Sequence, residues 1–133
     1  MNKIEFIKKI YNDYNLIGDE DIFKLTHGKK ITPIVTKTGI QKIVDQNQYN
    51  YEFDVVAVSS DYCAVKCTVS KDGAFLSCSF GSAEKVNVRN PTRYYLEMAE
   101  KRSKARAVLI AIGAHGYLYS EDEADDFKQT QNE

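Results

Sequence analysis

Three consecutive segments with a two-residue period constrain the centre of this chain. Tyr51 to Val58 alternates Tyr51, Phe53, Val55 and Ala57 against Glu52, Asp54 and Val56. Tyr62 to Val69 alternates Cys63, Val65, Cys67 and Val69 against Tyr62, Ala64, Lys66 and Thr68. Ala74 to Phe80 sets Ala74, Leu76, Cys78 and Phe80 opposite Phe75, Ser77 and Ser79. Side chains of a strand point alternately to its two faces, and these segments are rich in β-branched and aromatic residues, so all three read as strands. Ser70-Lys71-Asp72-Gly73 is a hairpin turn in which Asp-Gly supplies the positive φ angles, and Ser59-Ser60-Asp61 is a second turn. The expected product is an antiparallel meander.

A long helix comes next. Pro91 stands just ahead of it, with Asn90 or Thr92 as its cap, and residues 94–112 carry the helical period. At ~100° per residue, Glu97, Glu100, Lys101 and Lys104 fall on a solvated side. Met98, Ala99, Ala105, Leu109, Ile110 and Ile112 fall on the other, with Arg102 and Arg106 among them. An unpaired charge is costly to bury, so each guanidinium needs a carboxylate, a set of carbonyls or a polyanion. The small residues Ala99, Ser103 and Ala107 let the helix lie close on a sheet face.

Ahead of the meander, Lys3 to Asn15 reads as an amphipathic helix and residues 16–30 as a polar loop around Gly18 and Gly28. Ile31 to Val35 is a short β-prone run whose Pro33 suits an edge or entry strand. Thr38 to Asp45 reads as a short helix with Ile40, Ile43 and Val44 as its apolar contacts. Strands grouped together and flanked by helices define an α+β fold: an antiparallel three- to four-stranded meander with a long helix packed on one face. Residues 1–120 are expected to form one domain and 121–133 an acidic tail.

The formal net charge of −1 hides an asymmetry: residues 1–112 hold 17 Lys+Arg against 13 Asp+Glu, and residues 113–133 hold one Lys against six acids. A modestly basic body with an acidic tail fits a polyanion binder whose tail competes for the basic surface, and equally a solvated C-terminus that tunes solubility. No apolar run approaches the roughly 18 residues that span a bilayer, and the N-terminus lacks a leader pattern, so a cytoplasmic protein without membrane partners is expected. Cys63, Cys67 and Cys78 lie in strand segments, and no second Cys/His pair completes a zinc set; they read as reduced core thiols. Phosphate-loop, nucleophile-elbow and metalloprotease patterns are missing, and the only histidines are His27 and His115. The chain is expected to be neither an enzyme nor a cofactor carrier.

What remains is basic and aromatic. Lys85, Arg89, Arg93, Lys101, Arg102, Lys104 and Arg106 lie close in sequence and are interleaved with Tyr94 and Tyr95. Lys37 and Lys42 flank the short helix, and Lys66 and Lys71 decorate the meander. Cations that neutralise phosphates, beside aromatic stacking faces, are what single-stranded nucleic acid requires. The candidate DNA contacts are Lys37, Lys42, Lys66, Arg93, Lys101, Arg102, Lys104 and Arg106.

Pro33-Ile34-Val35-Thr36-Lys37-Thr38-Gly39-Ile40-Gln41-Lys42-Ile43 resembles the entry segment, strand then x-[KR]-x-G-x-x-K-[IL], of the single-strand annealing proteins of phage recombination. Asn90-Pro91 with Glu97 to Ala107 is similar to their arginine-bearing helix. Ile112-Gly113 and the acidic run from Ser120 fit the segment on the C-terminal side of that helix in the family. This superfamily, which includes RecT, Redβ, Sak and Erf, is built on a β-β-β-α core. The resemblance implies an ATP-independent, ring- or filament-forming homo-oligomer that holds single-stranded DNA in a basic groove and works with a host or phage recombination partner. Two other readings stand beside it. An α-β-β-β-α order also fits a double-stranded RNA-binding module, although the Gly-Pro-x-His loop expected there is missing. In a scaffold protein without nucleic acid, Arg102 and Arg106 would pair with Glu52, Asp54 or a neighbouring subunit.

Overall fold

A computed structural model of the protein describes residues 3–84, 95–114 and 116–120. The element order is α1 (Lys3–Asp13), β1 (Ile22–His27), β2 (Lys30–Val35), α2 (Lys37–Asn47), β3 (Asn50–Ser59), β4 (Tyr62–Lys71), β5 (Ala74–Glu84), α3 (Tyr95–Ala111) and β6 (Tyr119–Ser120). The fold is α+β. Strands β3, β4 and β5 form the antiparallel meander in that order, and α3 packs on one of its faces, against β4 and β5.

Among the described residues the meander has three strands and no fourth. Ile31–Val35 belongs instead to a second sheet, β1-β2-β6, in which β1 and β2 are antiparallel and β6 runs parallel to β2. β1 is a strand where a loop was expected. Ile22 pairs with Val35 and His27 with Lys30, leaving a two-residue turn in which Gly28 takes φ of 64°. Pro33 is tolerated beside the centre of this sheet because β6 pairs only with Ile34 and Val35, beyond the proline.

One core joins the two sheets. Ile10 of α1, Ile22 of β1, Val35 of β2, Ile40, Ile43 and Val44 of α2, and Cys67 and Val69 of β4 meet Val108 and Leu109 of α3. A smaller cluster of Cys63, Val65, Ala83, Tyr95 and Ala99 lies under the N-terminal half of α3. Ala99, Ser103 and Ala107 are fully buried, as their size suggested. Their counterpart is Gly81. A Cβ there would stand 2.6 Å from the Ala99 carbonyl oxygen and would strike the Ser103 backbone nitrogen. The helix backbone therefore rests directly on β5, held also by Ser77 Oγ donating to the Ala107 carbonyl at 2.7 Å.

Two bulges redirect side chains. Register slips between Val55 and Ala57, and again opposite the Val69–Ser70 step, where Leu76 is left over. As a result β5 turns Ser77, Ser79, Gly81 and Ala83 toward α3, and Phe75 and Phe80 are exposed. The apolar half of that strand's alternation thus faces away from the helix, because direct backbone contact at Gly81 admits only small residues beneath α3.

Candidate nucleic-acid interface

α2 begins with Thr36, whose Oγ1 accepts from the Gly39 N–H at 3.2 Å and donates to the Glu20 carbonyl at 2.8 Å. Gly39 has no alternative here, since a Cβ would sit 2.5 Å from the Asp21 carbonyl oxygen and 2.7 Å from Val35 Cγ1. One turn on, Lys42 Nζ reaches the fully buried Asp21 carboxylate at 2.5 Å. Asp21 Oδ2 also accepts from the Ile17 N–H at 2.8 Å. The G-x-x-K spacing is thus a clamp. Glycine lets the helix approach the loop that carries Asp21, and lysine neutralises the acid.

Arg102 and Arg106 project over the outer edge of β5, the last strand of the meander. Arg102, 8% exposed, donates from Nη1 to the Ser82 carbonyl at 2.7 Å. Arg106 donates from Nη1 to the Phe80 carbonyl at 3.2 Å. Four helical residues rise ~6 Å and two strand residues ~6.8 Å, so arginines at i and i+4 meet carbonyls at j and j−2. Neither Glu52 nor Asp54 can serve them, because both stand on β3 at the opposite side of the sheet.

Lys66 lies on the meander face away from α3, in register between Asp54 and Phe80. Arg93, Lys85, Arg89, the Asn90-Pro91 cap and the acidic tail fall outside the described residues. Lys101 is exposed on α3 and Lys37 is exposed at the first position of α2.

Lys104 is not on a fully solvated face. Its Nζ sits 4.3 Å from the Tyr51 ring centroid and donates to Gln41 Oε1 at 2.8 Å. The Tyr51 ring meets Phe53 edge-on at 5.6 Å. Lys104 thereby ties together α2, α3 and the start of β3. Lys37 is one helical turn before Gln41 on the same face of α2. Of the expected basic residues, Lys104 is drawn into this seam, where Tyr51 and Gln41 join it. Tyr51 was legible only as half of an aromatic pair at i, i+2 in an alternating strand, and Gln41 carried no signal.

Among the described residues, nothing covers Val55 and Val58 on the α3-facing side of β3 beyond this seam. Tyr51 is 38% exposed, Val55 56% and Val58 71%. β3 and the flank of α3 therefore form a one-walled shelf with an aromatic and apolar floor. Its wall is graded in charge. Glu100 and Glu97 act on Cys63, pushing the thiol up beyond what burial does. Lys104 acts on Cys67, opposing the burial that lifts this thiol to about 11. The wall is acidic near Val58, which pairs with Cys63, and basic near Tyr51, where Phe53 pairs with Cys67.

All three cysteines are free thiols, Cys63 and Cys67 buried. Among the described residues no group of three His, Cys, Asp or Glu is placed to hold a metal ion, and no helix is long and apolar enough to cross a membrane. The sequence matches no family model and no curated protein.

Proposed function

We propose that this chain binds single-stranded DNA and anneals it without ATP, as a homo-oligomer serving a phage or phage-derived recombination system. The observation that carries the reading is the seam where the Lys104 ammonium lies 4.3 Å over the half-exposed Tyr51 ring, at the basic end of an uncovered shelf. A base stacks on an aromatic face irrespective of its identity; to admit one here the Lys104 ammonium swings off the Tyr51 ring onto the adjoining phosphate, which it neutralises. The order of β3, β4, β5 and α3 agrees with the β-β-β-α core that the resemblance implies. Arg102 and Arg106 support the shelf from behind, holding β5 under α3, and Lys42 holds α2 in place. DNA contact then falls to Tyr51, Lys104, Lys101 and Lys37.

Fluorescence anisotropy with labelled oligo-dT, duplex DNA and duplex RNA across a salt series tests this. Oligo-dT binds most tightly and weakens as salt rises. Preference for duplex RNA would replace the reading with the double-stranded RNA module, and no binding to any of the three would remove it.

A further inference from the structure

Between Asp21 and Asp45 the chain carries five lysines and no acid. Lys42 is neutralised by Asp21, and Lys37 opens α2. The other three, Lys24, Lys29 and Lys30, belong to the β1-β2 hairpin and its turn. The core grips this hairpin by its base. Ile22 and Thr32 to Val35 are buried, and β6 meets β2 at Ile34 and Val35 alone. Farther out, Lys24, Thr26, Gly28, Lys29 and Ile31 are exposed. Among the described residues the ammonium groups of Lys24 and Lys29 make no ion pair, whereas those of Lys9 and Lys42 do.

We infer that the β1-β2 hairpin is a second nucleic-acid contact, one that holds the phosphodiester backbone of single-stranded and duplex DNA alike. This contact rests on the nucleic-acid reading of the seam. Its ligand follows from what the hairpin exposes. Lysines without acids suit a polyanion, and the exposed described side chains, Lys24, Thr26, Lys29 and Ile31, offer no stacking ring, since Phe23 is half-buried. Phosphates, which both forms of DNA share, are therefore engaged and bases are not. The hairpin also acts apart from the seam. At ~3.3 Å per residue, the path along β2 from Lys30 to Thr36 rises ~20 Å, well beyond the ~8 Å over which exposed charges act at physiological salt. Lysine also blunts open sheet edges, and this ribbon has two. Charge of either sign guards an edge, however, so that role does not account for three cations around one turn.

The two contacts divide the work. The seam stacks unpaired bases and has nothing to offer a duplex, whose bases are already stacked on one another. The hairpin keeps its hold on the backbone when the bases pair, so the annealed product stays bound through Lys24 and Lys29.

Anisotropy titrations of the full chain with labelled duplex DNA and labelled oligo-dT over a salt series are the test, with the fold of each variant checked by its thermal melt. Lys24→Gln with Lys29→Gln lowers the slope of log K against log salt by about 1.8 on duplex and about 1.4 on oligo-dT, two contacts in each case. Lys24→Glu with Lys29→Glu binds duplex more weakly still. If a pair fails to fold, Lys29→Gln alone, at the exposed turn, lowers the duplex slope by about 0.9. Tyr51→Ala leaves duplex affinity unchanged. A wild type that binds no duplex, or wild-type duplex affinity and slope in the folded variants, overturns the inference. So does a glutamine pair that aggregates while the glutamate pair stays soluble and binds duplex as the wild type does, which is the behaviour of an edge guard. The two claims fail separately. Oligo-dT binding that needs Tyr51 and Lys104 but ignores every hairpin variant keeps the seam and removes the hairpin. Duplex and oligo-dT binding lost in the hairpin variants, with no response to Tyr51→Ala or Lys104→Ala, keeps the hairpin and removes the seam.

Discussion

Arg102 Nη1 donates to the Ser82 carbonyl at 2.7 Å, and one turn later Arg106 Nη1 repeats the contact at Phe80. These arginines cover the edge of a sheet. Arg102→Ala leaves a strand carbonyl without its charged donor and is expected to lower stability by about 1.5–3 kcal/mol, the range for hydrogen bonds to charged groups. Arg106→Ala costs less, because Arg106 is less buried. Urea and thermal melts measure both. Oligo-dT affinity of the folded Arg102→Ala protein stays at the wild-type value, whereas unchanged melting with lost affinity would make Arg102 a ligand contact instead.

Glycine 81 supplies the closest approach of helix to sheet. Gly81→Ala places a methyl group against the Ala99 carbonyl and the Ser103 nitrogen, both backbone atoms that cannot swing away. Overpacking of this kind costs about 1–3 kcal/mol or more. A Gly81→Ala protein with the wild-type urea midpoint would contradict the packing of α3 on β5.

Lys42→Ala isolates the Asp21 carboxylate, which is fully buried. Breaking a buried pair costs about 3–5 kcal/mol, and the lower end applies because the Lys42 side chain is 31% exposed. Replacing both partners, Asp21→Asn with Lys42→Met, recovers part of the loss in a urea double-mutant cycle. Additive single effects would show that the two groups do not interact.

Cys67 adds a pH dependence. Burial lifts its thiol to about 11 from an ordinary 9.0. Because the folded pKa lies above the unfolded one, the folded state keeps a proton that the unfolded chain releases. Its contribution is full below pH 9.0 and is lost as pH rises toward 11. Urea midpoints measured at pH 8 and pH 10.5 fall more in the wild type than in Cys67→Val. Equal falls would place the titration elsewhere.

The meander and both flanking helices were legible because each obeys a local period. Lys37–Asn47 and Tyr95–Ala111 match the helical patterns to within a few residues. β1 was hidden because Ile22 to His27 sits between acidic and glycine-rich turns, and its partner becomes visible only across the hairpin. β6 has two residues and exists through its pairing with β2. The bulges were illegible for a different reason: each inserts one residue without breaking composition, yet reverses which side of the strand faces the core.

The site was less legible than the fold. Spacing alone placed Arg102 and Arg106 on a packed face, but whether carboxylates, carbonyls or phosphates receive them depends on which strand lies beneath. Lys42 looked like a surface cation because its partner, Asp21, is distant in sequence. Lys104 looked solvated because helical periodicity does not register the ring of Tyr51 arriving from β3.

Whether the Tyr51–Lys104 seam holds single-stranded DNA is tested most directly by anisotropy titrations of labelled oligo-dT over a salt series, comparing wild type with Lys104→Ala and Tyr51→Ala. Lys104→Ala is expected to weaken binding and lower the slope of log K against log salt by about 0.7, one single-strand phosphate contact. Tyr51→Ala loses about 1–3 kcal/mol of stacking with the slope nearly unchanged. Wild-type affinity and slope in both folded variants, or no binding of oligo-dT by the wild type, would contradict the account.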